Sequence, residues 1–260
     1  MPVRIGTAGS PLGSTLDGIK YLKDAGLDAM EVEFTYGVRM KNDLAERIGL
    51  MQEKTGIALS VHAPYYINLA SLDKSKVIAS KKRILDSCEK AHLMNASPVV
   101  FHPGFYQDRD PNSVYDLIRD QITDLKESIE KKGWNVSLAP ETTGKASQFG
   151  DIVELIKLSE ETGCRICIDF SHIYARNLGK IDYGLVFKLL KGFKHIHSHF
   201  SGIEFTSKGE RRHILTDRAF FEPLARQILD RKANITLINE SPNPLDDALM
   251  MKKCLEELES

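Results

Sequence analysis

Short apolar runs alternate with amphipathic stretches along the whole chain. The runs starting at Val3 (VRIGTAG), Ala29 (AMEVEF), Ala58 (ALSVHAP), Pro98 (PVVFHPG), Asn135 (NVSLAPE), Cys164 (CRICIDF), His195 (HIHSHFSG) and Ile235 (ITLINESP) are rich in β-branched or apolar residues, and most end in Gly, Pro, Ser or Asn. Such runs predict parallel strands buried on both faces. Between them, Tyr115, Ile118, Ile122, Leu125 and Ile129 recur at helical spacing with charged residues interleaved, and Ile152, Leu155 and Ile156 do the same. Eight strand–helix repeats predict an α/β fold, a (β/α)8 TIM barrel, with residues 1–260 forming a single domain. The count alone also admits an open doubly wound sheet, although no G-x-G-x-x-G follows the first strand.

Composition narrows this picture only slightly. A chain of 260 residues buries enough surface to need no disulfide staples. Apolar content of 42% and charged content of 27% are those of an ordinary globular protein. No apolar run approaches the roughly 20 residues that span a bilayer, and the N-terminus lacks a signal-like stretch, so the expectation is a cytoplasmic protein with no membrane partner. Cys164 and Cys167 form a C-x-x-C pair, but no second pair completes a four-thiolate site, and the surrounding residues read as buried strand. The formal net charge of −1 gives no global support to nucleic-acid binding; local basic patches, or metals that cancel carboxylate charge, can supply the attraction instead.

Candidate chemistry collects at the C-terminal ends of the predicted strands. Strand three ends with His62, strand four with His102 and strand five with Glu141. Strand six ends with Asp169, followed by His172; strand seven carries His195, His197 and His199; strand eight leads into Glu240. In a barrel these ends converge on one rim. Imidazoles and carboxylates are the donors that hold zinc or manganese. A single histidine of this kind is more often an ordinary core or rim residue, but burying so many without a cation is costly. His195, His197 and His199 alternate and share one face; only the last reaches the rim, and the other two read as structural. His92 reads as a plain helix residue.

The motifs HAPYYINLA (from His62), FHPG (from Phe101), PETTG (from Pro140), IDFSHIYA (from Ile168), HSHFSG (from His197) and NESP (from Asn239) together resemble the endonuclease IV family of abasic-site DNA repair enzymes, over nearly the whole chain. The resemblance implies a trinuclear zinc site. His62 and His102 would hold one metal, and Glu141 would bridge it to a second completed by Asp169, His199 and Glu240. His172 would bind a third with an acid and a histidine from the loop after strand seven. The family usually has Asp-x-His there, followed by another His, whereas this chain reads Glu210-Arg211-Arg212-His213. Either His213 substitutes as ligand beside Glu210 and Arg212 turns outward to the DNA backbone, or the Arg212 guanidinium enters the rim and takes the third metal's place.

The resemblance also places DNA contacts at Arg39, Tyr65 and Tyr66, with Asn68 stabilising their loop, and a basic cluster of Lys208, Arg211 and Arg212 is available to phosphates. The tyrosines would otherwise pack against helix three. The implied activity is hydrolysis of duplex DNA on the 5′ side of an abasic site, with Glu141 as the catalytic carboxylate, two or three zinc ions (manganese suits the same donors) and a monomeric enzyme. Two rivals remain open at this point. A metal-dependent sugar isomerase or epimerase also uses Glu, Asp, His and Glu on strands five to eight, and a lesion-binding protein without catalysis would tolerate an altered third site.

Overall fold

The computed structural model describes residues 3–260. All eight expected strands form, as Val3–Ala8, Ala29–Glu33, Ala58–His62, Val99–Phe101, Leu138–Pro140, Cys167–Asp169, Ile196–Phe200 and Ile235–Asn239. They pair in parallel in one sheet in the order five, four, three, two, one, eight, seven, six. A bridge between Glu141 and Cys167, with Thr142 N–H donating to the Cys167 carbonyl at 3.0 Å, draws strands five and six together and nearly closes the barrel. The open doubly wound alternative is thereby excluded.

The helices are α1 (Thr15–Asp24), α2 (Asn42–Thr55), α3 (Lys74–Leu93), α4 (Pro111–Lys131), α5 (Ile152–Thr162), α6 (Phe170–Arg176), α7 (Tyr183–Leu189), α8 (Arg218–Asp230) and α9 (Pro244–Glu259), and the two stretches read at helical spacing fall in α4 and α5. Most starts are capped by short acids or, for α1, by Ser14, whereas α2 and α9 have no side-chain cap. Asp73, Asp110, Asp182 and Asp217 each accept a first-turn backbone N–H, and Asp151 forms a full capping box with Glu154. The α4 stripe from Tyr115 to Ile129 is buried as expected. No helix among the described residues is long and apolar enough to cross a membrane.

Strand alternation sorts the side chains into two very different interiors. Outward-pointing Ile5, Val61, Phe101, Ile168 and Leu237 join the helices in one large apolar core. Inside the barrel the buried apolar cluster is only Val100, Ala139 and Cys167. Barrel interiors are usually filled by bulky branched residues. Here Glu31, Ser60, His197 and Thr236 are buried among the strands, and the rim donors lie above them.

Two elements were not expected, the first a short antiparallel pair of Gly104–Phe105 with Gln148–Phe149 between the loops after strands four and five. The second is the segment after strand seven, read as a loop, which is an antiparallel hairpin of Gly202–Thr206 and Gly209–Ile214. It lies against the loop after strand five, where Glu210 N–H donates to the Gly144 carbonyl at 2.9 Å. A Cβ at Gly144 would overlap the Glu210 side chain, so only glycine allows the hairpin to come this close.

Candidate metal centre

Six barrel strands or their loops, plus the hairpin, bring the candidate donors into one cluster at the C-terminal rim. Ligand atoms of His62, His102 and Glu141 lie within 4.8 Å of one another, as do those of Glu141, Asp169, His199 and Glu240, and those of Asp169, His172 and His213. Glu141 is fully buried and joins the first two groups with separate oxygens. Its Oε2 is 3.3 Å from His62 Nε2 and 2.9 Å from His102 Nε2. Its Oε1 is 2.9 Å from His199 Nδ1 and 3.4 Å from His172 Nδ1.

Local hydrogen bonds decide which imidazole nitrogen faces the cluster. His62 Nδ1 donates to its neighbour's Ala63 carbonyl at 2.8 Å, which leaves Nε2 directed at Glu141. His172 Nδ1 donates to the Thr142 carbonyl at 2.9 Å, and its Nε2 has no hydrogen-bond partner although it is buried. His213 Nδ1 is 2.6 Å from Ser201 Oγ, so its Nε2 is the nitrogen that looks toward Glu240, 4.0 Å away. Asp169 caps α6 by accepting the His172 backbone N–H on Oδ1 at 2.7 Å, and its buried Oδ2 is unpartnered.

The electrostatics fit a cation. Burial opposes charge on His62, but the Glu141 hydrogen bond and the Glu33 charge carry its pKa up to about 10. Burial likewise opposes charge on His172 and His199, but Asp169 and Glu141 carry His172, and Cys167 with Glu240, Glu31 and Glu141 carry His199, well above the usual imidazole value. Against its own burial, Glu141 is held well below the carboxylate range by His102 and His199. Without a metal, protons must hold the cluster together. Orphaned buried donor atoms, nitrogens aimed at carboxylate oxygens and a carboxylate offering one oxygen to each of two donor groups are what divalent cations would replace them on. The residues therefore fit such ions.

The hairpin residues divide between the two faces. Glu210 Oε2 is 3.4 Å from His172 Nε2, and the His213 ring lies 5.3 Å from the His172 ring. Residues three apart in a regular strand point oppositely, but this strand is bulged. Phe205 pairs with Glu210 and Glu204 with Arg212, which leaves Arg211 as the extra residue. Arg212 is 68% exposed at its side chain, with Nε 2.6 Å from Glu204. Its guanidinium thus lies outside the rim, and the rim-entering alternative does not match this geometry. Arg211 pairs with the same Glu204, so two of the three basic cluster residues already share a carboxylate.

Tyr65 and Tyr66 are 58% and 64% exposed, so neither packs under α3. Tyr65 sits 6.2 Å from the His62 ring and meets Tyr36 edge-on at 6.4 Å. Arg39 is exposed on the neighbouring loop. Asn68 Oδ1 accepts from Ala70 N–H at 3.1 Å, bracing the tyrosine loop. His92 lies in α3, where its Nδ1 accepts from Asn135 N–H at 3.3 Å. Cys88, Cys164, Cys167 and Cys254 are free and buried.

Two acids inside the barrel escaped the sequence reading. Glu31 and Glu33 of the second strand point into the barrel, Glu31 with 0% exposure and Glu33 half-buried nearer the rim, where desolvation pushes it up to about 8. The signal was present in AMEVEF: acids at alternating positions of an otherwise apolar strand share one face, and that face is polar only if the barrel interior is.

A family model of xylose isomerase-like TIM barrels matches residues 19–258. An uncharacterized protein of Methanocaldococcus jannaschii is 39% identical, covering 97% of each chain. A probable endonuclease 4 of Mesomycoplasma hyopneumoniae is 31% identical, over 74% of this chain and 75% of its own. Among solved structures, endonuclease IV from Thermus thermophilus superposes with a TM-score of 0.77 at 22% identity, covering 98% of this chain and 99% of that one. An L-ribulose 3-epimerase superposes at 0.72 and 15% identity, covering 99% and 96%.

Proposed function

The chain belongs to the endonuclease IV family within the xylose isomerase-like TIM barrels, and from that premise we propose that it is a divalent-metal-dependent endonuclease, using zinc, that hydrolyses duplex DNA on the 5′ side of abasic sites. The observation that carries this reading is Glu141, with Oε2 turned to His62 and His102 and Oε1 turned to His199. A carboxylate so placed would serve two adjacent cation sites. His62, His102 and Glu141 would hold one ion, and Glu141, Asp169, His199 and Glu240 a second. His172 and His213 would hold a third with Asp169 or Glu210. When bound, such ions neutralise phosphate charge and make water nucleophilic near neutral pH.

The protein's own groups orient the substrate. Tyr65 borders His62 and Tyr66 is exposed beside it in the chain, where aromatic faces can stack on bases or enter the gap left by a missing one. An abasic nucleotide has lost its pairing, so extruding it toward the rim costs less than extruding a normal one. Tyr65→Ala combined with Tyr66→Ala should weaken binding of abasic duplex by about tenfold or more, and binding of intact duplex much less. Equal losses in a fluorescence-anisotropy titration would remove the tyrosines from lesion recognition.

The direct test is a duplex carrying one tetrahydrofuran abasic analogue, incubated with metal-replete protein and resolved on a denaturing gel. The analogue resists β-elimination, so a nick 5′ to it, leaving a 3′-hydroxyl, comes from hydrolysis. Metal-loaded protein that binds this duplex and leaves it whole would replace an endonuclease with a lesion-binding protein.

A second reading is favoured by the Glu141, Asp169, His199 and Glu240 group, which alone suffices for a single-metal sugar epimerase. Elemental analysis separates the two. An epimerase needs one ion per chain, whereas the His62–His102–Glu141 group demands at least one more.

A further inference from the structure

Below the rim, the barrel interior holds a layer of polar side chains that the proposed reaction does not use. Glu31 is its centre. The carboxylate is fully buried; Oε2 accepts from Ser60 Oγ at 2.6 Å and lies 2.9 Å from His197 Nε2. Oε1 lies 2.9 Å from His199 Nε2. Both of these last two atoms are buried and make no aligned hydrogen bond, so their 2.9 Å contact is a close ionic approach that a small turn of the ring would convert into one.

This arrangement bears on His199 alone among the candidate ligands. An imidazole can turn either nitrogen toward a metal, and the hydrogen bond made by the other nitrogen decides which. His199 has Nδ1 toward Glu141 and Glu240, at 2.9 and 3.3 Å, and Nε2 toward Glu31. His62 and His172 fix their rings through backbone carbonyls of Ala63 and Thr142. His199 has no such carbonyl and meets a carboxylate.

We propose that Glu31 is a positioning residue for the metal centre: it takes the His199 Nε2–H and so presents Nδ1 to the ion shared with Glu141, Asp169 and Glu240, while Ser60 and His197 hold Glu31 in place. The inference rests on the metal-centre reading above. Three features support it. An ionised carboxylate inside a barrel carries a large desolvation cost, and the apolar cluster of Val100, Ala139 and Cys167 shows that hydrophobic filling is available to this interior. The anchors Ser60 and His197 are themselves buried, 3% exposed each, and fix both lone-pair directions of Oε2. Finally, Glu31 cannot reach the substrate side. On the far side of this layer a cavity of about 210 Å³ opens at the opposite mouth of the barrel, lined by Arg4, Ser60, Arg165, His195 and His197. The direct contact of Glu31 with the rim donors is therefore the one to His199.

The test is the isosteric Glu31→Gln variant, studied by metal binding before any activity is measured. Wild-type protein is first titrated with zinc in a chelator-buffered series. If it takes up no zinc, or His199 resonances do not respond, the metal-centre reading itself fails. If wild type loads, Glu31→Gln should bind one of its ions about 10- to 100-fold more weakly and the others normally. Nitrogen-15 NMR should find His199 protonated on Nε2 in loaded wild type and losing that single tautomer in the variant. Cobalt(II) substitution adds a second signature, a changed visible spectrum for one site. Wild-type affinity at every site together with an unchanged His199 tautomer overturns the proposal. If Glu31→Gln fails to fold, Ser60→Ala removes one anchor only; a several-fold weakening at the same site supports the proposal, and wild-type affinity overturns it.

Discussion

Glu141→Gln should lower cleavage of tetrahydrofuran-containing duplex by about a thousandfold or more while the barrel stays folded. The size of the effect follows from position. Four imidazole nitrogens, drawn from all three donor groups, lie between 2.9 and 3.4 Å from its two oxygens. An amide is a poor ligand, and its NH2 would point a donor at one of those groups. Both cation sites that share Glu141 should weaken together, so zinc content should fall with activity. Stability should suffer far less. The large apolar core lies outside the barrel, and the histidines can return to their neutral forms, which limits the cost to about 1–3 kcal/mol. Circular dichroism and thermal melts of the metal-free variant check the fold, and a gel assay checks turnover. Near-normal turnover in a folded variant would remove Glu141 from the mechanism.

The second large effect concerns the hairpin. His213→Ala should cost about one ion per chain by elemental analysis, because a site with only three protein donors tolerates the loss of one poorly. Arg212→Ala should leave metal content unchanged, since that side chain turns outward to Glu204. The bulge supplies a sharper version of the same test. Arg211 is the unpaired extra residue between the Phe205–Glu210 and Glu204–Arg212 pairs. Deleting it leaves Glu-Arg-His in register, and residues two apart in a regular strand share a face. The deletion should therefore keep both Glu210 and the imidazole on the site and preserve metal content. Retention of every ion in His213→Ala would show that His213 does not serve the third site, and loss of an ion on deletion of Arg211 would show that the bulge is needed to place its ligands.

Much of this protein was legible without coordinates. The alternation of apolar runs and amphipathic stretches located all eight strands, because a parallel strand buried on both faces carries its own signature. Rim donors were legible for a related reason: His62, His102, Glu141, Asp169 and Glu240 each follow the apolar part of a strand, and barrel topology alone brings strand ends together. Three decisions belonged to tertiary structure. The faces of Glu210, Arg212 and His213 depend on a bulge, and a bulge is set by the pairing of two strands rather than by the residues of one. The place of Glu31 depends on what the opposite wall of the barrel offers, namely Ser60, His197 and His199, residues 29 to 168 positions away in the chain. Which nitrogen each histidine turns to the rim depends on a carbonyl or carboxylate behind it. Sequence fixes the kind of donor and its depth on a strand; long-range contacts decide which atom it presents, because hydrogen-bond direction is a property of the partner as much as of the residue.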